Sequence, residues 1–191
     1  MGKREDVKRP KLPRDFYPTV DIDAVLALAP HVQPFTRDLV GYIEPCGGGG
    51  HLIDLLASVV PSLQCVAAYD IQPEDSRVGK KDCLTLTQSD CVGARVFITN
   101  PPFDWGMLKP ILDHLPTLLP TWLLLPADLM HNKRMSPYMG YCTDVVSVGR
   151  LWWFKDENYK KVKGVDNFCW YKFCDPKDAW GFRIQFHGRV L

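Results

Sequence analysis

The residues whose types and spacing could do chemistry lie in two short stretches, and the more specific one is Asn100-Pro101-Pro102-Phe103. Two successive prolines fix φ and remove two N–H donors, and the residue before each proline is held extended. The Asn100 side chain and the Pro101 carbonyl are therefore presented rigidly as oxygen acceptors. They can accept two hydrogen bonds from an exocyclic amino group and leave its lone pair facing an electrophile, while Phe103 offers a flat face to a planar group. A Pro-Pro turn with a core Phe is the structural alternative.

The second stretch is a glycine loop, residues 47–50, that follows an apolar run ending in Glu44. Glycine allows a tight turn and a close approach of a ligand to the main chain, and a helix N-terminus after such a loop offers unpaired N–H groups. The loop lacks the glycine spacing of a dinucleotide site and the Lys-Ser/Thr of a phosphate-binding P-loop. Taken alone, it fits both a holder for a nucleoside cofactor and a plain tight turn.

Two further acids narrow the interpretation of the glycine loop. Asp70 ends the next apolar run, and Asp82 opens the one after it. Carboxylates that follow adjacent strands of a doubly wound sheet lie side by side at its carboxyl edge. There Asp70 could accept both ribose hydroxyls, and Asp82 could accept from an adenine amino group. Each acid alone could be a solvated loop carboxylate, but the ordered set with Glu44 favours a nucleoside cofactor.

The elements that must position these residues alternate between strand and helix. The expected strands are residues 38–44, 64–69, 83–87, 95–99 and 122–125, and the expected helices are 22–29, stopped by Pro30, 52–59 and 107–115. Short connections between such elements indicate a parallel sheet with helices on both faces. Residues 145–153 and 168–173 are β-prone and are joined by a charged loop, which indicates an antiparallel pair. We therefore expect an α/β fold with a doubly wound, Rossmann-like, mostly parallel sheet and a C-terminal antiparallel strand pair.

Size and composition predict one globular domain with a tail. The chain has 191 residues, 46% of them hydrophobic and 12% aromatic, which is enough to bury a sizeable core. Residues 1–13 lack periodicity and are rich in Lys and Arg, so we expect a mobile basic tail before a single domain at 14–191. There is no apolar run of membrane-spanning length and no apolar segment after the charged N-terminus, so a cytoplasmic location without a membrane partner is expected.

Charge and cysteine content weigh against two other classes of protein. The formal net charge is +1, whereas a domain that binds duplex nucleic acid tightly on its own is usually strongly basic. The seven cysteines are an odd number and form no Cys-x-x-Cys pair. Reduced, mostly buried thiols are therefore expected rather than a zinc site, and no metal is predicted.

With these residues in view, the sequence resembles class I S-adenosylmethionine-dependent methyltransferases of the amino-methylating type. It is similar in particular to the compact phage-encoded adenine-N6 DNA methyltransferase-like proteins. The similarity covers roughly residues 15–173, with the motifs in the order of the family. Its segments are residues 15–19, 44–50, 69–73, 81–84, 98–103, 120–125, 148–154 and 166–173.

The resemblance implies S-adenosylmethionine as cofactor and a set of residues that bind it. These residues are Tyr17, Pro18, Thr19, Glu44, Pro45, Gly48, Gly50, Asp70, Ile71, Asp82 and Asn100. By this resemblance Asp70 binds the ribose, Ile71 lies against the adenine, and Asp82 reaches the adenine amino group. The segment from Tyr17 to Thr19 closes over the methionine end, and residues 44–50 form the cofactor loop.

The catalytic set implied by the resemblance is Asn100, Pro101, Pro102 and Phe103. Asn100 and Pro101 would hold the target nitrogen and Phe103 would stack on the target base, which must first be flipped out of a duplex. The implied reaction is methylation of an exocyclic amino nitrogen, with N6 of adenine in DNA as the leading substrate. The Asn-Pro-Pro-aromatic motif also serves enzymes that methylate RNA amino groups and protein glutamine amides. A cofactor-binding subunit without turnover is the alternative of a different class.

The chain departs from the family in two respects. His51 follows the glycine loop where a small or acidic residue is usual, and there is no room for a separate target-recognition domain. Recognition would then depend on short basic elements: the N-terminal tail, the Lys133-Arg134 turn and the loop 155–163. It could also depend on a specificity partner or a homo-oligomer. If the protein is phage-encoded, its location is the host cytoplasm.

Overall fold

The computed structural model describes residues 17–32, 40–154, 161–178 and 183–189. The expected tail at 1–13 and most of the charged loop 155–163 lie outside these ranges. The strands are β1 (Val40–Glu44), β2 (Leu63–Asp70), β3 (Gly79–Lys80), β4 (Val96–Thr99), β5 (Thr121–Pro126), β6 (Cys142–Phe154), β7 (Lys161–Phe173) and β8 (Gln185–His187). The α-helices are α1 (Ile22–Val32), α2 (His51–Val59), α3 (Trp105–His114) and α4 (Ser136–Met139).

All of these strands belong to one sheet with the order β3-β2-β1-β4-β5-β7-β6-β8. The first five strands in this order are parallel to their neighbours. Strand β7 is antiparallel to both β5 and β6, and β8 is parallel to β6. The expected α/β fold, a doubly wound and mostly parallel sheet with an antiparallel pair near the C-terminus, is therefore confirmed.

Each buried strand supplies two hydrophobic cores, because successive side chains of a strand point to opposite faces of the sheet. The core that α1 and α2 cover receives Tyr42, Ile98, Trp122, Leu124 and Trp170. The core that α3 covers receives Ile43, Phe97, Leu123, Leu125 and Tyr171. This two-sided burial explains why β5 is an uninterrupted apolar run in the sequence.

Two sequence predictions about elements are wrong. The expected strand at 83–87 is absent, because Asp82 accepts a hydrogen bond from the Leu84 N–H at 2.9 Å and caps a 3-10 helix at Cys83–Thr85. The third strand of the sheet is instead the two-residue β3, which precedes Asp82. Helix α1 continues through Pro30 to Val32, since Pro30 removes only one donor near the helix end while α1 buries Val25 and Leu28 against the sheet.

Three smaller features complete the comparison of elements. Of the expected strand 38–44, the described part is β1, beginning at Val40. The sequence did not predict β8. Within the described ranges, none of the helices combines the length and the apolar character that crossing a bilayer requires.

Gly41 allows β1 to lie close to the loop before β4. A Cβ at Gly41 would stand 1.9 Å from the Gly93 carbonyl oxygen, so Gly41→Ala forces the two backbones apart. We expect this substitution to lower the free energy of unfolding by about 3 kcal/mol. Gly188→Ala is the matched control, because a Cβ there meets nothing within 4 Å. Urea unfolding of both variants measures the difference, and equal stabilities would contradict the close approach.

Candidate active site

The residues with predicted chemistry converge on one edge of the sheet. Glu44 and Asp70 are the last residues of the neighbouring parallel strands β1 and β2, and Asn100 directly follows β4 on the other side of β1. The carboxyl ends of parallel strands meet at the same edge, which is where ligands bind in open α/β sheets. The structure thus brings the glycine loop, Asp70 and the Asn-Pro-Pro-Phe stretch together.

The glycine loop is fixed by hydrogen bonds to the end of β2 and the loop that follows it. The Gly47 N–H donates to the Tyr69 carbonyl at 2.8 Å, and the Gly48 carbonyl accepts from the Glu74 N–H at 3.0 Å. Gly48 and Gly50 have φ values of 47° and 73°, a left-handed conformation that side chains disfavour. The loop is therefore preformed, and glycine is needed at these two positions for its shape.

Asp70 holds the loop and still faces solvent. Its Oδ2 accepts from the Gly48 N–H at 2.9 Å and its Oδ1 from the Gln72 N–H at 2.8 Å. A carboxylate has about four acceptor positions, so each oxygen can accept one more hydrogen bond. The adjacent Ile71 side chain is 58% exposed, which makes an apolar surface next to this acid. Both placements suit a ribose and an adenine ring, and the two roles stay predictions.

Asp82 lies beside Asp70 but has a structural task of its own. The Lys81 N–H donates to the Asp70 carbonyl at 3.0 Å, which places Asp82 one residue from the end of β2. Its Oδ1 caps the 3-10 helix at Cys83–Thr85, and the residue is exposed. Capping accounts for one of its oxygens, and binding of an adenine amino group stays a prediction for the other.

Glu44 is the most perturbed acid at this edge. Its side chain is buried, Oε1 accepts from the Cys46 N–H at 3.2 Å, and Oε2 has no hydrogen-bond partner among the described residues. Burial raises the pKa of Glu44 to about 8, and the nearby Asp70 carboxylate adds to the rise. The neighbouring Thr99 hydroxyl, also buried, favours the ionised form but does not reach hydrogen-bonding geometry.

Asn100 is oriented by the segment that precedes α1. Its Nδ2 donates to the Tyr17 carbonyl oxygen at 2.6 Å. A carbonyl can only accept, so the amide nitrogen must face Tyr17 and Oδ1 must face the other way. Oδ1 is buried and has no partner among the described residues. The result is a fixed oxygen acceptor beside the two prolines, as an amino-nitrogen site requires.

The Phe103 side chain belongs to a cluster of four aromatic rings, with Tyr17, Trp153 and Phe168. Tyr17 stacks on Phe103 with ring centroids 5.5 Å apart and planes 22° apart, and Phe168 lies 5.6 Å from Phe103. Trp153 packs edge-on against Tyr17 at 5.9 Å and against Phe168 at 5.0 Å. The Tyr17 ring thus contacts the Asn-Pro-Pro-Phe stretch (the transfer motif), whereas the family resemblance implied that the Tyr17 segment binds the cofactor. A planar target that stacks on the same face of Phe103 would have to displace it.

The remaining predicted residues are partly or wholly buried at the same edge. Pro18, Thr19, Pro45 and Pro101 are buried, and the Thr19 hydroxyl has no partner among the described residues. Pro102 is half-buried and is the second residue after Asn100. These placements agree with roles in shaping the pocket, and those roles stay predictions.

Sequence reasoning missed three residues that the structure adds to the site. Trp153 contacts the Tyr17 ring, and Phe168 contacts the Phe103 ring. Thr99 places a buried hydroxyl beside Glu44. A signal was present for Thr99, since it is a polar residue that ends an otherwise apolar strand. The two aromatics carried none, because their contacts depend on how the β6–β7 pair meets the segment before α1.

The described part of the chain contains no set of side chains suited to binding a metal ion. No group of three or more His, Cys, Asp or Glu side chains there could hold a metal ion. All seven cysteines are free thiols, four of them buried. The Cys46 and Cys83 thiols interact next to Glu44, and this contact, together with burial, raises the pKa of Cys46.

No protein-family model and no curated protein matches the sequence. A solved structure from Listeria monocytogenes, named as a candidate class I S-adenosylmethionine-dependent methyltransferase, has a TM-score of 0.52 and 8% identity. It aligns with 97% of this chain and 68% of its own. Precorrin-6y C5,15-methyltransferase of Geobacter metallireducens has a TM-score of 0.48, with 12% identity over 80% of this chain and 87% of its own. An rRNA methylase of Streptococcus thermophilus has a TM-score of 0.42, with 14% identity over 79% of this chain and 94% of its own. The Listeria structure shows that this chain has the Rossmann-like fold of class I methyltransferases.

Proposed function

We propose that the protein is an S-adenosylmethionine-dependent methyltransferase that acts on an exocyclic amino nitrogen. The observation that carries the proposal is the orientation of Asn100. Its amide nitrogen is held by the Tyr17 carbonyl, and its oxygen is buried without a partner among the described residues, one residue before Pro101. The same sheet edge carries a preformed glycine loop and two acids. A fold shared with class I methyltransferases supports the assignment.

The residues at this edge fit the proposed cofactor. Five buried polar atoms lack partners among the described residues: Thr19 Oγ1, Tyr42 Oη, Glu44 Oε2, Thr99 Oγ1 and Asn100 Oδ1. All but Tyr42 Oη belong to residues at this edge, where a bound cofactor and its target would supply hydrogen-bond partners. Asp70 retains acceptor capacity for ribose hydroxyls, and exposed Ile71 offers an apolar surface to an adenine ring. S-adenosylmethionine supplies an electrophilic methyl group when it is bound.

The chain contributes alignment and electrostatic stabilisation, and it needs no nucleophilic side chain. Asn100 Oδ1 and the Pro101 carbonyl oxygen accept the two N–H groups of the target amino group and direct its lone pair toward the methyl group. As the nitrogen gains positive charge, the same two acceptors stabilise it. Phe103 orients the plane of the target by stacking, after the Tyr17 ring has moved from that face.

The leading substrate is N6 of adenine in DNA. Support comes from the order of the motifs and from the aromatic cluster, which suits a planar, flipped-out base. The amino groups of RNA and the amide of protein glutamine have the same chemistry. One observation favours a second function, a cofactor-binding subunit without turnover of its own, because the Tyr17 ring covers a face of Phe103.

For the organisation of the chain, we propose one methyltransferase domain at residues 14–191, located in the cytoplasm, or in that of a host if phage-encoded. One sheet with a core on each face supports the single domain. A specificity partner or a second copy of the chain would supply recognition that the short basic elements lack.

A substrate panel tests the proposed activity. The protein is incubated with methyl-labelled S-adenosylmethionine and unmodified duplex DNA, single-stranded DNA, RNA or a glutamine-containing peptide, and the nucleosides are then analysed by mass spectrometry. We expect label in DNA as N6-methyladenine. Label only in RNA or peptide would change the substrate and keep the chemistry. Calorimetric binding of the cofactor with no transfer to any substrate would overturn the enzyme proposal in favour of the binding subunit.

Removing Asp70 should weaken cofactor binding. Asp70→Ala deletes acceptors for the ribose and also frees the Gly48 N–H, so we expect the dissociation constant to rise about 10- to 100-fold. Calorimetric titration with S-adenosylmethionine measures it. The control Asp128→Ala removes an exposed carboxylate outside the cofactor loop and should leave binding unchanged. Equal affinities in the two variants would contradict the role of Asp70.

A further inference from the structure

A cation held on an aromatic ring lies beside the proposed transfer site. The Arg134 guanidinium carbon is 4.7 Å from the centroid of the Trp105 ring. Trp105 packs edge-on against Tyr138 at 5.9 Å, and the Tyr138 hydroxyl donates to Asp113 at 2.7 Å. Tyr138 is buried while Arg134 is exposed. The Arg134 guanidinium is therefore held against the Trp105 ring, which is itself fixed by Tyr138, and its other side is open to solvent.

This cation is close to the transfer motif along the chain and in space. Trp105 opens α3 two residues after Phe103, so its ring marks the position of that loop. Arg134 reaches the ring from the 3-10 helix Lys133–Met135, which belongs to the connection after β5. The connections after β4 and β5 both start at the carboxyl edge of the sheet. Lys133 and Arg134 thus flank the proposed target site from the side opposite the cofactor strands β1 and β2.

The positive charge of this turn has no paired acid in the described part of the chain. Within the described residues, neither Lys133 nor Arg134 forms an ion pair with a carboxylate, while nearby Lys109 is paired with Asp113 at 2.6 Å. The Arg134 guanidinium carbon lies over the Trp105 ring while the residue stays exposed, so its planar fork of N–H donors is accessible from solvent. That fork matches the oxygens of a phosphate, and Lys133 adds a second positive charge.

We propose that Lys133 and Arg134, presented by Trp105, bind the phosphate backbone of a nucleic-acid strand whose base enters at Phe103. The inference rests on the proposed function and narrows its substrate to nucleic acid over a protein amide. With a formal net charge of +1, the chain cannot rely on a broad basic surface, so a few placed cations must position the strand. These contacts fix register and carry no base specificity.

The test is the salt dependence of binding to a fluorescently labelled, adenine-containing oligodeoxynucleotide, followed by anisotropy. Each cation that contacts a phosphate contributes about one unit to the slope of log affinity against log salt concentration. Lys133→Gln combined with Arg134→Gln should therefore lower the slope by about two units. Arg134→Lys keeps the charge but loses the fork and the stacking, so it should weaken binding while changing the slope little.

The control Lys177→Gln removes one positive charge after the end of β7, at the opposite edge of the sheet, and should alter neither slope nor affinity. Calorimetric binding of S-adenosylmethionine by the double variant verifies that it is folded. An unchanged slope in the double variant would overturn the inference, as would methyl transfer to a glutamine peptide that depends on both cations. Oligonucleotide binding with the expected slopes but no methyl transfer would support this inference while the proposed function failed.

Discussion

Asn100→Ala is expected to lower the rate of methyl transfer by about 100- to 1,000-fold, the range typical for losing one preorganised polar group at a reacting centre. The substitution removes the Oδ1 acceptor and leaves the Pro101 carbonyl as the only oxygen of the pair. It also releases the Tyr17 carbonyl from its 2.6 Å hydrogen bond. The target nitrogen then loses both its alignment and part of the stabilisation of its developing positive charge.

Transfer is measured with labelled cofactor under single-turnover conditions, and cofactor affinity is measured separately by calorimetry. Gln64→Ala is the matched control, since it deletes an exposed side-chain amide early in β2, away from the carboxyl edge. It should leave the rate unchanged. Because Asn100 also belongs to the predicted cofactor-binding set, the rates are compared at saturating S-adenosylmethionine, so that a change in cofactor affinity does not contribute. A rate within threefold of the wild type would contradict the acceptor role of Asn100.

The hydrogen bond between Asn100 and the Tyr17 carbonyl shows why part of the site could not be predicted from the sequence. Glu44, Asp70 and Asn100 could be assigned to one sheet edge because each ends a β-prone run, and parallel strands bring such ends together. The bond between Asn100 and the Tyr17 carbonyl joins residues 83 positions apart. No local pattern encodes it, because it depends on where the segment before α1 crosses the end of β4. The stacking of Tyr17 on Phe103 has the same origin.

Errors in the predicted elements have local causes. Residues 83–87 are apolar enough for a strand, but the Asp82 side chain bonds to the Leu84 N–H and turns the chain into a 3-10 helix. Strand β3 is two residues long and contains no apolar residue, so periodicity could not reveal it. Helix α1 continues past Pro30, where the sequence predicts its end, because burial of its apolar face outweighs the loss of one hydrogen bond. Predictions from local sequence were right where hydrophobic burial and β propensity favoured the same element, as in β5.

Between about pH 4.5 and 8, the wild-type protein is expected to lose stability relative to a Glu44→Gln variant. The ordinary pKa of Glu44 is 4.5, and burial raises it to about 8 in the folded state. Below pH 4.5 the Glu44 carboxyl is protonated in both the folded and the unfolded state, so it does not change the free energy of unfolding. Above that pH the unfolded chain releases the proton while the folded protein retains it, so unfolding becomes progressively easier. Above pH 8 the loss is complete.

Each unit of pKa shift is worth about 1.4 kcal/mol, so the full contribution is on the order of 5 kcal/mol. Other groups also contribute to the pH dependence of stability, including His31, whose pKa is lowered by burial and by the adjacent His187. For this reason the quantity to measure is the difference between wild type and Glu44→Gln, obtained from urea unfolding at a series of pH values. Glu74→Gln makes the same change on an exposed side chain and should give a flat difference.

The Glu44→Gln variant also separates stability from function. A neutral amide keeps the shape of the buried side chain, so the variant should be at least as stable as the wild type at pH 8. It can no longer offer a negative charge at the proposed cofactor loop, so cofactor affinity should fall as stability rises. Such opposite changes are expected when a buried acid is retained for binding rather than for folding. A variant that lost stability at pH 8 would show instead that Glu44 is ionised and satisfied within the folded protein.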